Sequence, residues 1–350
     1  MELRGLGDTG VRVSTLCLGT MMFGSIGNPD IGDCVRIVHR ALDAGITFID
    51  TADVYSRGES EQILARALKG RRDDVVLATK FFHPMSKDPN HRGGSRRWIM
   101  RAVEDSLRRL ETDYIDLYQM HRFDEHTDLD ETLGALTDLV TQGKVRLVGS
   151  STFPAERIVE AQWTAERRGH VKLRCEQPPY SIFVRGIERD VLPTAQRYGM
   201  GVIVWSPLNG GWLTGKYRHG RPAPEGSRMQ RSGRGAWRFD GPGAERKLEL
   251  VEDLIKIAEQ AGTDLITLAI AFTLRHPGVT SAIIGPRTPE QLESQLGAAE
   301  FVPDPGVLDA IDALVPAGHT VTVADLAAEP LALRTEARRR TTTTPSGDAS

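Results

Sequence analysis

The stretch Phe48-Ile49-Asp50-Thr51-Ala52-Asp53-Val54-Tyr55, followed by Gly58-Glu59-Ser60-Glu61, decides how this chain is read. An apolar run from Ile46 to Ile49 delivers a carboxylate and then, five residues on, a tyrosine. Both fall in the turn between a strand and an amphipathic helix carrying Ile63, Leu64, Ala67 and Leu68 on one face. A carboxylate at the edge of a core costs several kcal/mol unless it is paired. Asp50 therefore needs a cation. Lys80, just past the next apolar run Val75-Val76-Leu77-Ala78-Thr79, is the expected partner, and Tyr55 is the acid that the pair serves.

Outward from this stretch the same strand-then-helix alternation repeats. Segments around Leu3 and Val11-Arg12-Val13 flank Gly5, Gly7 and Gly10, which predicts a short N-terminal β-hairpin. Short apolar strands follow at 16–18, 46–49, 75–79, 114–118, 145–148, 171–175, 201–205 and 281–284, with helical periodicity after each. Pro154 marks one helix start, since proline suits a first helical turn. No Gly-x-Gly-x-x-Gly opens the first strand–helix turn, which weakens an open dinucleotide-binding sheet. Eight units over roughly 300 residues predict a closed α/β (β/α)8 TIM barrel with a short N-terminal β-hairpin. Residues 206–244, rich in Gly, Pro and Arg, break the rhythm. The barrel domain is expected over 1–315. The extension 316–350, ending beyond the polar run Arg338-Arg339-Arg340-Thr341-Thr342-Thr343-Thr344, is expected to be largely disordered.

Bulk properties exclude several classes. A 350-residue chain with 40% hydrophobic and 26% charged residues has material for a large globular core. A formal net charge of −3 gives no electrostatic support for nucleic-acid binding. Cys17, Cys34 and Cys175 are too few and too scattered for a disulfide framework or a zinc site, so a reducing cytoplasm is expected. Met1-Glu2-Leu3-Arg4-Gly5 lacks the apolar core of a signal peptide, and no apolar run approaches the ~18 residues of a membrane span.

Chemistry in such a barrel sits at the C-terminal ends of the strands. The residues there are Thr20 and Met21, Asp50 and Tyr55, Lys80, His121, Ser151 and Thr152, Gln177, Ser206, and Gly285 with Arg287. Neighbouring strands lie roughly 4.8 Å apart, which brings Asp50, Lys80 and His121 within about 10 Å of one another. Each alone has a plain structural reading: an Asp–Lys pair as a staple, a satisfied histidine, a packing tyrosine. Their joint position at consecutive strand ends carries the inference.

These motifs resemble the aldo-keto reductases. Asp50-Thr51-Ala52-Asp53-Val54-Tyr55, the strand end Ala78-Thr79-Lys80 and Gln119-Met120-His121-Arg122 are similar, in order, to that family's catalytic tetrad, and the resemblance runs from about Leu3 to Leu314. Trp205-Ser206-Pro207-Leu208 and Gly215-Lys216-Tyr217 resemble the bacterial branch that includes relatives of the potassium-channel β subunits. The resemblance implies a carbonyl reductase acting on an aldehyde or ketone, with Asp50, Tyr55, Lys80 and His121 as the catalytic residues. An unperturbed tyrosine has a pKa of about 10, and a Lys80 cation is expected to lower it. His121 is expected to hydrogen-bond the carbonyl.

The resemblance also implies NADPH/NADP+ as cofactor. Ser151, Thr152 and Gln177 are implied at the carboxamide and Trp205 against the nicotinamide ring, with Thr20, Met21 and Asp50 at the same strand ends. Ser206, Pro207, Leu208, Gly211 and Lys216 are implied at the pyrophosphate, Gly285 and Arg287 at a 2′-phosphate, and Gln291 and Gln295 at the adenosine. Arg287 favours NADPH over NADH, because a guanidinium suits phosphate bidentately. Thr152 stands where family members usually carry Asn, and Ser294-Gln295 where they more often carry Glu-Asn.

Gly210-Gly211-Trp212-Leu213-Thr214-Gly215-Lys216 spells most of a phosphate-binding loop of the NTPase type. Tyr217 replaces its final Ser or Thr and the stretch follows strand seven, so that reading is set aside. His83, His91, His121 and His126 lack a ligand spacing, and no metal is expected. Trp212, Trp237 and Phe239 form a candidate lid, and Phe23, Phe81, Phe82 and Phe153 candidate pocket walls. Three classes stay open: a working reductase for a small-molecule carbonyl or alcohol, an NADPH-binding regulatory or redox-sensing subunit with little turnover, and a non-redox barrel enzyme acting on phosphorylated substrates. His121 favours the first, because channel β subunits carry Asn there.

Overall fold

A computed structural model describes residues 1–227, 241, 243–326 and 335–339. The N-terminal strands β1 (Leu3–Gly5) and β2 (Arg12–Ser14) pair antiparallel, with Arg4 opposite Val13. Eight parallel strands follow: β3 (Leu16–Gly19), β4 (Phe48–Asp50), β5 (Val76–Phe81), β6 (Ile115–Met120), β7 (Val145–Ser151), β8 (Cys175–Gln177), β9 (Gly201–Val204) and β10 (Ser281–Ile284). They close in the order β10-β3-β4-β5-β6-β7-β8-β9, with β10 also hydrogen-bonded to β9. The expected (β/α)8 barrel and N-terminal hairpin are thus present.

The outer ring comprises α1 (Ile31–Asp43), α2 (Glu59–Ala67), α3 (Arg96–Leu110), α4 (Leu129–Thr141), α5 (Ala155–Arg168), α6 (Val191–Arg197), α7 (Ala244–Gln260), α8 (Leu265–Arg275), α9 (Pro289–Leu296) and α10 (Pro305–Leu314). Most start on a side-chain acceptor that satisfies a free backbone N–H. Asp30 accepts from Asp33 N, Ser95 from Trp98 N, Asp264 from Thr267 N and Asp304 from Val307 N. Strand β9 is followed by two helices, α7 and α8, and β10 by α9 and α10, as the helical spacing of their apolar residues predicts.

Side chains alternate across a strand, so residues two apart share a face. Cys17, Phe48, Ala78, Leu117, Cys175, Ile203 and Ile283 fill the barrel interior, and Leu6 and Val13 of the hairpin plug its lower end. The hairpin sits close because Gly7 has φ +55° and lies where a Cβ would stand 2.3 Å from the Gly199 carbonyl. A second apolar shell, including Leu16, Leu18, Ile49, Leu77, Tyr118 and Val148, packs beneath the helices. One step above the interior layer, on the same faces, stand Asp50, Lys80, Gln119 and Gln177. In register, Asp50 is opposite Ala78 and Lys80 is opposite Gln119. A polar layer thus rests directly on the apolar one.

Two expected boundaries move. The sixth strand, expected over 171–175, begins at Cys175. The Val171 N–H bonds Thr137 Oγ1 (3.0 Å) and the Leu173 carbonyl accepts from Gln162 Nε2 (2.8 Å), so helix side chains take up ladder positions. The extension expected from 316 onward stays on the barrel through Leu326. Val321 N donates to the Phe183 carbonyl (2.9 Å), Thr320 bridges Val184, and Lys247 Nζ meets Asp325 Oδ1 (2.6 Å) with both side chains buried. The threonine run 341–344 lies outside the described residues.

Candidate active site

The polar layer at the strand ends brings the four expected catalytic side chains together. Lys80 Nζ donates to Asp50 Oδ1 (2.5 Å), to the Thr51 carbonyl (2.8 Å) and to the Tyr55 hydroxyl (3.5 Å). All three ammonium protons are therefore committed, and the Lys80 side chain is fully buried. Its pKa is raised: burial pushes it down, but the Asp50 carboxylate and Tyr55 outweigh that. Tyr55 and His121 meet edge to face, with ring centroids 5.9 Å apart.

Asp50 is held from a second side that the motifs did not reveal. Its Oδ2 accepts from Gln177 Nε2 (2.8 Å) and Gln119 Nε2 (3.3 Å), and the two glutamine side chains also bond each other (3.3 Å). Gln119 precedes His121 by two residues and so shares its face. That alternation was the available signal.

Tyr55 departs from expectation. Burial pushes its pKa above the usual phenol value, and the lowering by Lys80 offsets only part of this. The phenol is held protonated, which suits a proton donor better than a base. His121 is neutral: burial, then the Lys80 and Arg122 charges, hold it well below the ordinary imidazole range. Its Nδ1 is buried without a hydrogen-bond partner, which leaves Nε2 as the nitrogen available to a bound molecule. His83 packs edge-on to His121, with centroids 4.6 Å apart, and is lowered to about 4 by burial and by Arg122, Arg92 and Lys80.

The turn that carries Tyr55 is strained and braced. Ser56 and Arg57 adopt φ 47° and 55°, in the left-handed region. Ser56 Oγ donates to the Phe23 carbonyl (2.7 Å), and Glu61 at the start of α2 pairs with Arg109 of α3 (2.7 Å) and accepts from Thr79 Oγ1 (2.6 Å). Asp53 lies in the same region, buried, with neither carboxylate oxygen in a well-formed hydrogen bond. Burial, then the nearby Glu61 charge, pushes its pKa well up.

The expected cofactor residues occupy the opposite arc of the mouth. Ser151 Oγ donates to the Gln177 carbonyl (2.9 Å). Thr152 has φ 58°, and its hydroxyl accepts from Trp205 Nε1 (3.3 Å), fixing a half-buried indole beside the turn. Beneath that turn Glu176 accepts from Phe153 N (3.1 Å) and Ser150 Oγ, and burial raises its pKa to about 7. Ser206 (φ 61°) bonds Gly210 N through its hydroxyl (3.1 Å), in a loop where Pro207 is buried, Leu208 half-buried, Gly211 has φ 101° and Lys216 is exposed.

Past β10, nothing lies within 4 Å of where a Cβ would stand on Gly285, so the surface beside Arg287 is open. Gln291 Oε1 accepts from Arg287 N (2.8 Å), and Gln295 Nε2 donates to the Gln291 carbonyl (2.7 Å). Asn28, which the sequence did not single out, holds the Arg287 carbonyl (2.9 Å). A left-handed glycine loop with an exposed lysine, an open surface by an arginine and a helix start is a donor set that fits a dinucleotide phosphate group. Met21 is exposed at the rim, while Thr20 turns its hydroxyl inward to Ser60 Oγ (2.8 Å) and the Asp50 carbonyl (3.2 Å).

Three apolar expectations are corrected. Trp212 is buried, with Lys247 Nζ 5.2 Å from its ring centroid, so it is core and not part of a lid. Phe23 and Phe81 are fully buried in the outer apolar shell and offer no surface to a ligand. Phe82 is half-buried, while Phe153 is buried against Phe123 (centroids 5.3 Å). The remaining lid candidates, Trp237 and Phe239, lie outside the described residues.

The model of the aldo/keto reductase family matches residues 15–316. The chain is 42% identical over 329 residues to the uncharacterized oxidoreductase YrpG of Bacillus subtilis, covering 90% of this chain and 96% of the relative. It is 36% identical over 324 residues to a putative voltage-gated potassium channel subunit beta of Schizosaccharomyces pombe, covering 90% and 93% of the two chains. It is also 36% identical over 299 residues to the aldo-keto reductase YhdN of Bacillus subtilis, covering 84% and 87%.

Proposed function

The chain belongs to the aldo/keto reductase family, and from that premise we propose that this oxidoreductase is an NADPH-dependent reductase of aldehydes or ketones, with Tyr55 as the proton donor. The observation that carries the reading is the Lys80 ammonium joining the Asp50 carboxylate and the Tyr55 hydroxyl in one buried chain. When bound, NADPH supplies the hydride. The residues of the chain do the rest.

His121 Nε2–H and the Tyr55 hydroxyl hold the substrate oxygen and orient it. As negative charge develops on that oxygen, the two donors stabilise it more than they stabilise the neutral carbonyl. The proton then passes from Tyr55 to the oxygen. The phenolate left behind lies next to the Lys80 cation, which stabilises it within a water-poor site. Asp50, held by Gln119 and Gln177, keeps Lys80 charged and in place. Arg287, the 206–216 loop and the start of α9 would hold the phosphates; Ser151, Thr152, Gln177 and Trp205 would hold the nicotinamide end.

The test is a titration followed by an assay. NADPH is expected to quench tryptophan fluorescence at micromolar concentration and NADH at least tenfold more weakly, with Arg287→Ala narrowing the gap. Wild type is then expected to oxidise NADPH with a reactive aldehyde such as 4-nitrobenzaldehyde. Tight NADPH binding without turnover on any of a broad carbonyl panel would favour the second reading, a cofactor-binding subunit of the kind some relatives' names describe.

A further inference from the structure

We propose that the substrate mouth is built for carbonyl compounds that carry a carboxylate, with Arg122 as its receptor; the proposal rests on the reductase reading above. Arg122 follows His121 directly at the end of β6. Among the described residues it makes one hydrogen bond, from Nη1 to the His121 carbonyl (2.5 Å), and no ion pair. Other guanidiniums drawn into the protein body sit on carboxylates: Arg72 on Asp116 (2.7 Å), Arg109 on Glu61 (2.7 Å) and Arg185 on Glu188 (2.9 Å). Arg122 is half-buried without such a partner.

Among the described residues no neighbouring group supplies the missing charge. Lys80 is matched by Asp50, while His83 and His121 are neutral at pH 7. Glu176 feels the Arg122 charge, but it lies within no ion pair, its acceptor positions serve Ser150 and Phe153, and burial keeps it only partly ionised near neutrality. Burial also pulls the Arg122 pKa below its usual value, with Tyr55 and Glu176 opposing that shift, so the guanidinium is partly desolvated and lies near the Tyr55 phenol. A desolvated cation without a counter-ion is costly, and a docking carboxylate relieves that cost. The planar fork of arginine suits a carboxylate bidentately.

The cofactor's phosphates do not account for this cation. The 206–216 loop and Arg287 follow β9 and β10, whereas β6 lies three strands from β9 and four from β10 around the barrel. Arg122 thus stands across the mouth, next to where His121 and Tyr55 meet the carbonyl. Arg92, exposed on the loop before α3, adds a second positive group near His83 and favours approach of anions.

The test uses two aldehydes of the same skeleton, 4-carboxybenzaldehyde and its neutral methyl ester, methyl 4-formylbenzoate. Wild type is expected to have kcat/KM at least tenfold higher for the acid, mainly through KM, with the advantage shrinking as salt rises. In Arg122→Gln the acid-to-ester ratio is expected to fall to about one, and in Arg122→Lys to an intermediate value. Melting temperatures of both variants show that they fold. Turnover of both aldehydes without preference for the acid, or a ratio that survives in Arg122→Gln, overturns this inference alone. Failure to turn over either aldehyde, by protein that binds NADPH, overturns the reductase reading and this inference with it.

Discussion

Asp53 shows how a single side chain in the decisive stretch carries a cost. Its carboxyl is buried without a well-formed hydrogen bond and lies near Glu61. Its folded pKa is raised above the unfolded value, so its ionisation penalises the folded state as pH rises. The stability it contributes is fully present below the unfolded pKa of 3.8 and is lost as pH climbs through the raised folded value. Asp53→Asn is therefore expected to raise the urea midpoint at pH 8, with the gain disappearing toward pH 4. A variant less stable than wild type at pH 8 would mean that the ionised carboxylate has a partner after all. At the same scale, the tetrad residues were legible from their motifs, because strand ends of a barrel lie at fixed places in the chain. Gln119, Arg122 and Asn28 were not singled out. Their importance comes from which neighbour they meet across the barrel, and that depends on register rather than on local pattern.

At the scale of the element, the turn after β7 couples a titratable group to the expected nicotinamide site. Glu176 lies beneath Ser151-Thr152-Phe153 and accepts from the backbone of that turn. Its pKa of about 7 means that its contribution as an ionised acceptor fades below neutrality. Glu176→Gln is expected to weaken NADPH binding several-fold at pH 8 and to flatten the pH dependence of Kd between 6 and 8. An unchanged Kd profile would separate the turn from the acid beneath it. Strand and helix existence was readable from apolar periodicity throughout. The sixth strand's start was not, because Gln162 and Thr137 of the surrounding helices satisfy its first backbone groups. Both helices after β9 were legible, the first in Leu248, Val251, Ile255 and Ala258 and the second in Leu265, Leu268 and Phe272.

At the scale of the whole molecule, the segments before β3 and just after α10 both pack back onto the barrel. The hairpin plugs the lower end of the barrel with Leu6, while the segment after α10 runs back over the body to bury Asp325 against Lys247. A polar composition suggested disorder from residue 316, but one buried ion pair and two backbone contacts hold the chain through Leu326. Removing one partner of a buried pair typically costs about 3–5 kcal/mol, because the other charge stays buried and alone. Asp325→Ala is expected to show a loss of that order in urea unfolding, and Asp325→Leu combined with Lys247→Met to recover most of it. Equal loss in the single and double variants would mean that the segment is held by packing and not by the pair.

At all three scales the proposed step is the transfer of a proton from Tyr55 to a carbonyl oxygen. The most direct measurement is kcat for NADPH oxidation with 4-nitrobenzaldehyde by wild type and Tyr55→Phe, with NADPH binding measured on the same samples by fluorescence. Loss of a positioned general acid typically costs 10²–10⁴-fold. Tyr55→Phe is expected to bind NADPH and to lose at least about a hundredfold in kcat. A Tyr55→Phe variant that binds NADPH and turns over within a few-fold of wild type would contradict the assignment of Tyr55 as the proton donor.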